Sequence, residues 1–404
     1  MKTKTNRTLR KILSTALCLA LVMSYVPMVS FTVNAAATDL TVTIDTGASV
    51  TLRDADGDNY YDIGTADELY AFAAAVNSGN TAIKGELTAD ITLNENVLTE
   101  TGELNGDGSN LRVWTPIGND DNKYTGTFDG GEHTVRGLFF NDSSINYVGL
   151  FGYVDDSGKV QNVGVIASYF NADEEVGGVA GCIGRYSTVE NCYNTSSVSG
   201  NYDVGGVVGS NSSEYSMVTN CYNTGTVTGN DRNVGGIVSV NYGTITNCYN
   251  TGTVTGNYDV GGVVGFNGKF GMVNNCYNTG TIIGNDRNVG GVVGYNSKTN
   301  TVTNSYNTGS VSGNYNVGGV AGYNKGTVMN SYYLNGCATD GNNVTQFGVG
   351  NETVGSTTAD VAGQTDSKSA DWLASEELCV AVGYHQGAGR QTASATSVST
   401  NLPF

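Results

Sequence analysis

From Val148 onward the apolar residues come in short bursts, each closed by Gly or Asn, and the bursts return in a fixed order. The clearest copy, Val204 to Asn230, reads VGGVVGSNSSEYSMVTNCYNTGTVTGN. Copies begin at Val148, Val176, Val204, Val234, Val260, Val289 and Val317, so successive starts lie 28, 28, 30, 26, 29 and 28 residues apart. A fixed period of this length is the signature of a stacked array. Each copy carries three β-favouring runs of four to seven residues (VGGVVG, MVTNCYN, GTVTG) and no Pro. Such a unit cannot bury a face alone, but it can wrap once around a core and stack in register on the next copy. The pattern predicts an all-β fold, a right-handed parallel β-helix (β-solenoid) of about seven coils of roughly 28 residues, closed by short helical caps.

Stacking turns each repeated position into a column, because in-register coils advance by about 4.8 Å. Asn191, Asn220, Asn247, Asn275, Asn304 and Asn330 form one column, whose amides can hydrogen-bond along the axis. Tyr193, Tyr222, Tyr249, Tyr277, Tyr306 and Tyr332 form another. If the Tyr side chains point inward they are core; if outward they are a surface. The Gly pairs from Gly177-Gly178 to Gly318-Gly319 call for either φ > 0 or close backbone approach. Length varies between the first and second runs, NSSEYS against NYG, which marks a loop along one edge.

The signature G-G-[VI]-[VA]-[GS] followed by V-x-N-[CS]-Y-N-T-G resembles the GLUG motif of secreted bacterial surface proteins, and the resemblance spans seven copies. It implies a cell-surface or adhesion-associated module. GLUG copies also accompany the catalytic part of some IgA-cleaving metallopeptidases, which need a zinc-binding H-E-x-x-H helix. This chain has only His133 and His385, so that activity is not carried over.

The N-terminus bears on compartment. Lys2, Lys4, Arg7, Arg10 and Lys11 precede the apolar run Ile12 to Met23, and Val33-Asn34-Ala35 resembles a cleavage site. Residues 1–35 are therefore expected to be a secretory signal peptide. Its removal would leave 14 basic against 37 acidic residues, a formal charge of −23. That balance disfavours nucleic acid and anionic membrane as partners and keeps a repetitive β protein soluble, and no membrane insertion is expected after signal removal.

Residues 36–147 are expected to hold an N-terminal cap and irregular first coils, 148–336 the repeats, 337–385 a C-terminal cap and 386–404 a disordered tail. Thr65-Ala66-Asp67-Glu68 reads as a capping box, with Leu69, Phe72, Ala73 and Val76 on one helical face and Gly79 as the stop. Ser369 to Val380 reads as a second short helix. Asp54, Asp56, Asp58 and Asp62 resemble half a calcium loop, but with Gly57 at position 6 the loop would start on Leu52 and end on Ile63, so a solvated acidic turn is expected. His133 lacks a partner ligand or nucleophile and reads as a surface strand residue. Asp120-Asp121 reads as part of a solvated loop. The pair Asp231-Arg232 recurs two coils later as Asp286-Arg287, and a repeated pair suggests a corner device rather than an active site.

Cys192, Cys221, Cys248 and Cys276 share one repeat position, which becomes Ser305 and Ser331 in the last copies. Parallel Cβ vectors in a ladder hold sulfurs too far apart for an unstrained bridge, so buried free thiols are expected. No C-x-x-C spacing supports a metal site. The sequence thus points to a secreted, non-catalytic surface or adhesion module with no cofactor, which engages an extracellular polysaccharide or a host or matrix protein. It names no catalytic, cofactor or metal residues. The alternatives are a polysaccharide lyase or glycoside hydrolase with its site between Trp114 and Phe140, near His133, and a passive spacer.

Overall fold

The computed structural model describes residues 37–342, 348–349 and 365–368. The expected signal peptide, the expected helix over Ser369 to Val380 and the expected tail over 386–404 lie outside them. The described chain is a β-solenoid whose strands pair in parallel with the coil before and the coil after. One full coil shows the plan: Thr188–Glu190 on a first face, Tyr193–Asn194 on a second, Ser197–Gly205 on a third and Val208–Asn211 on a fourth. The first three faces are ten-stranded and the fourth has seven strands, one for each regular coil. Register is strict. Val189 lies opposite Val160 on one side and Val218 on the other.

The sequence runs dictate this path. Strands this short are bent at residues that accept left-handed backbone, and Asn does so at little cost because its short side chain bonds locally. Asn191, Asn220, Asn247, Asn275, Asn304 and Asn330 turn one corner with φ between 49° and 55°. The Gly pairs resolve the other way: they lie outside the left-handed region and answer to crowding. A Cβ on Gly205 would sit 2.0 Å from the Val208 carbonyl oxygen, and one on Gly206 2.1 Å from that of Gly236. The loops of variable length fall at the corner between the fourth and first faces, at 212–216, 242–243 and 268–271.

Inside, β-branched residues fill each column. Val189, Val218, Ile245, Val273, Val302 and Val328 are all essentially inaccessible to solvent, as are Val198, Val227, Val254, Ile282 and Val311 on the third face. Their stiff χ1 suits a pleated surface packed on both neighbours. Toward the N-terminus aromatics replace them: Trp114, Tyr124, Phe128 and Phe151 are fully buried.

The N-terminal end is covered by a hairpin, β1 (Leu40–Thr43) with β2 (Ser49–Leu52), and by helix α1 (Ala66–Asn77). Thr65 caps α1, its hydroxyl accepting from the Glu68 amide at 3.3 Å. The Glu68 carboxylate turns back to the amide of Gly64 at 3.0 Å, one residue earlier than a simple capping box predicts, and also accepts from the Thr65 hydroxyl. Gly79, at φ 108°, ends the helix: its amide meets the Val76 carbonyl at 2.9 Å and that of Asn80 meets Ala75 at 3.1 Å. Phe72 packs edge-on against Phe128, ring centroids 5.7 Å apart. Arg112 lies over the Tyr70 ring and pairs with Asp45 and Asp67, which ties hairpin to helix. Among the described residues no helix is long and apolar enough to cross a membrane.

Candidate binding face

Alternation along a strand decides which columns face out. Asn194, Asn223, Asn250, Asn278 and Asn307 are fully buried, so the Tyr before each points outward. Each inward amide donates to the next along the axis at 2.8 Å, and each Oδ1 from Asn194 to Asn307 also accepts the backbone amide two residues on. The outward rings stack nearly parallel: Tyr193 to Tyr222 at 4.7 Å, then 5.0, 4.9 and 4.9 Å to Tyr306. The strip begins where the Tyr193 ring lies over Gly164, a place with no room for a Cβ. Tyr193, Tyr222 and Tyr249 are half-buried by this stacking, whereas Tyr277 and Tyr306 are covered. The neighbouring Asn column bonds as expected from Asn162 through Asn275, at 2.9 to 3.4 Å; Asn304 departs from it by donating to Asn274.

The Cys column is buried and free, like every cysteine among the described residues. Each thiol donates to the carbonyl two residues back, Cys192 to Glu190 at 3.1 Å and Cys248 to Thr246 at 3.2 Å. Ser305 and Ser331 make the same bond at 2.8 and 3.0 Å, which explains why the last copies accept Ser.

The remaining sequence candidates scatter. Asp54, Asp56 and Asp58 bring carboxylate oxygens within 4.8 Å of one another, but they serve the turn's own amides: Asp54 accepts from Ala37, Gly57 and Asn59 at 2.7, 2.6 and 2.8 Å. Asp62 turns away to the amide of Ala55. His133 sits on the surface with Nδ1 3.5 Å from Asp90, whose carboxyl is held low by hydrogen bonds from Thr134 and by His133 itself. Asp120 is exposed and faces Lys123. A hollow of about 450 Å³ runs along Val113 to Pro116 and Phe139 to Asp142, and His133 does not line it.

A second surface forms where the third face turns into the fourth, and the sequence reading saw only part of it. Here Glu175, Asp203, Asn233, Asp259, Asn288 and Asn316 stack, all left-handed with φ between 50° and 61°. Asn233 donates to Asp203 at 2.8 Å and Asn288 to Asp259 at 2.7 Å. Burial pushes the Asp203 carboxyl up to about 6. Burial, reinforced by Asp203 and Glu174, pushes Glu175 up to about 7 despite hydrogen bonds from Ser210 and Tyr147. Burial raises Asp259 as well, against the pull of Asn288, Arg287 and Arg232. Above this floor the next column reads Tyr202, Arg232, Tyr258, Arg287, Tyr315, one residue per coil. Asp231, Arg232, Tyr258, Asp259, Arg287, Asn288 and Tyr295 line a concavity of about 390 Å³ there. The signal in the sequence was the recurrence of Asp231-Arg232 two coils later as Asp286-Arg287, read as a corner device without its side-by-side consequence.

Comparison with known proteins agrees with the repeat reading. The GLUG motif matches four tandem segments, residues 173–199, 200–228, 230–255 and 256–283. Halomucin of Haloquadratum walsbyi is 32% identical over 186 residues, 43% of this chain but 2% of that protein. A candidate Gly-rich membrane protein of Evansella cellulosilytica is 30% identical over 79 residues, 19% of this chain and 9% of that one. This chain therefore spans only a small fraction of the relatives it matches. A crystal structure of a candidate immunoglobulin A1 protease from Bacteroides ovatus aligns over 80% of this chain and 90% of its own, at TM-score 0.47 and 20% identity. The regular coils of this chain thus carry four GLUG motif repeats in tandem.

Proposed function

We propose that this chain is an extracellular surface module, without catalytic activity, that holds a polymeric ligand through many equivalent shallow contacts. The observation that carries this reading is the outward stacking of like side chains at the coil spacing, seen in the Tyr strip with centroids 4.7 to 5.0 Å apart. A polymer with its own short repeat meets the same contact on coil after coil, and weak contacts linked in series sum to useful retention. Secretion is supported by the basic and apolar N-terminal pattern, and a surface location by the membrane protein among its relatives. The test passes the purified chain over immobilised polysaccharides and matrix proteins while following bound protein and released sugar. Saturable retention without release supports the reading; retention by none of them removes it in favour of a spacer.

Glycan cleavage is the second reading, and one observation favours it. Glu175 and Asp203 occupy equivalent positions on adjacent coils, and burial raises them unequally, Glu175 to about 7 as the candidate acid and Asp203 to about 6 as the candidate base. Sugar release that disappears in Glu175→Gln would replace the non-catalytic reading with this one.

A further inference from the structure

Coils of two kinds alternate at the end of the third face. In one, Gly-Asn-Tyr-Asp passes straight through the corner; in the other, Gly-Asn-Asp-Arg-Asn carries one residue more. The extra residue is taken up as a bulge: the register between the strands Val254–Gly261 and Ile282–Gly290 shifts after Gly256, so that Arg287, not Asp286, lies opposite Tyr258. Bulges re-aim side chains, and this one inserts an Arg into the Tyr column on every second coil. Arg232 lies over the Tyr202 ring at 5.5 Å and Arg287 over Tyr258 at 5.2 Å, and both guanidinium groups remain exposed. At about 4.8 Å per coil the two Arg recur at about 10 Å. The bulges also place Asp231 and Asp286 beside them, and Asp286 hydrogen-bonds the Tyr258 hydroxyl.

We infer that this column is the track for an extended, uncharged polysaccharide, lying along the axis with one two-sugar repeat for every two coils. The inference rests on the polymer-binding reading above and gives it a ligand class and a place. Tyr rings offer the apolar platform on which the C–H face of a pyranose stacks, and the adjoining Arg and Asp offer paired donors and paired acceptors for vicinal hydroxyls. Charge decides the class. Two Arg are matched by Asp231 and Asp286, and the whole chain carries a formal charge of −18, which repels a polyanion. Spacing decides the direction, because a pyranose unit in an extended chain advances by nearly one coil.

The test compares the purified chain with three folded variants: Tyr258→Ala, the double variant Arg232→Ala with Arg287→Ala, and Met272→Ala, exposed on the first face, as a control. Binding is measured by calorimetry and affinity electrophoresis against neutral β-linked glucan, mannan and xylan, against alginate as a polyanion, and against oligosaccharides of two to eight sugars. The expected result is binding to at least one neutral glycan, a tenfold or greater loss in both track variants, little change in the control, and affinity that rises in steps of two sugars. Unchanged affinity in the track variants overturns the track and leaves the polymer-binding reading standing, as does binding to alginate alone. No retention of the unaltered chain by any polymer removes the reading itself. Arg232→Lys with Arg287→Lys, read by circular dichroism and binding together, separates lost contacts from lost fold.

Discussion

At the scale of single residues, the buried amide ladder is where the fold is most exposed to substitution. Asn250 makes four hydrogen bonds in a dry interior: it donates to Asn278 and Gly252 and accepts from Asn223 and Gly252. Asn250→Val keeps the volume and leaves those partners unpaired, at about 1–3 kcal/mol for each buried group stranded. A loss of about 3 kcal/mol or more in urea unfolding is expected, and a loss under 1 kcal/mol would show that water enters the column. Glu175 supplies a pH dependence. Its folded value of about 7 lies above its ordinary 4.5, so the fold prefers the protonated form. Its contribution is full below about pH 4.5 and fades as pH climbs to about 7. Asp203, on the next coil, acts in the same direction. The melting temperature is therefore expected to fall between pH 5 and 8, and Glu175→Gln to flatten that fall and stabilise the protein by roughly 3 kcal/mol at pH 8, at about 1.4 kcal/mol per pH unit. A difference between the two proteins that ignores pH would contradict this assignment.

At the scale of elements, α1 is a lid over the aromatic end of the core rather than part of the stack. Phe72 is fully buried and touches both Phe128 and Tyr124. Phe72→Ala is expected to cost about 3–5 kcal/mol locally, and Thr65→Ala about 1 kcal/mol. Because each coil touches mainly its neighbours, the damage is expected to stay at that end. Hydrogen exchange checks this: faster exchange over Tyr61–Ile63 and Gly85–Leu87, with protection kept from Val189 onward. Much at this scale could be read in advance. Thr65, Glu68 and Gly79 announced the helix and both its ends, and the repeated Asn, Cys and Tyr announced columns. Inside and outside could not be read for YN, since two adjacent residues of middling polarity fit either face; the dryness of Asn194 decides it only in three dimensions. The Tyr and Arg column stayed hidden for a different reason. Counting from the Gly, Asp231 falls where Tyr202 stands, and only the bulge moves Arg232 into that place.

At the scale of the whole molecule, the unit is two coils. Joining Gly229 to Asn285 by deleting residues 230–284 removes one Arg-bearing and one Tyr-bearing coil and brings Arg287 next to Tyr202, so the alternation survives. Joining Gly229 to Asn257 by deleting residues 230–256 removes a single coil and sets Tyr258 beside Tyr202. Both shortened proteins are expected to fold, since stacked arrays tolerate loss of whole repeats. The first is expected to keep a shorter track and the second to interrupt it, which circular dichroism and oligosaccharide binding together distinguish. Failure of the two-coil deletion to fold would show that the coils are not interchangeable.

The direction of the amide ladders has a consequence for length. In the dry interior the laddered Asn hand their hydrogens forward, Asn194 to Asn223 and Asn241 to Asn267. That direction is set by the chain itself, because Oδ1 is already committed to the amide two residues on. On the outer corners the traffic runs backward, Asn220 to Asn191 and Asn233 to Asp203. Two antiparallel currents of dipoles therefore flow along one axis, and parallel sheets add little net dipole of their own. An α-helix carries about half a positive charge at one tip and half a negative charge at the other; in a rod wired in both directions these contributions oppose one another, and it can lengthen coil by coil with little charge at its ends.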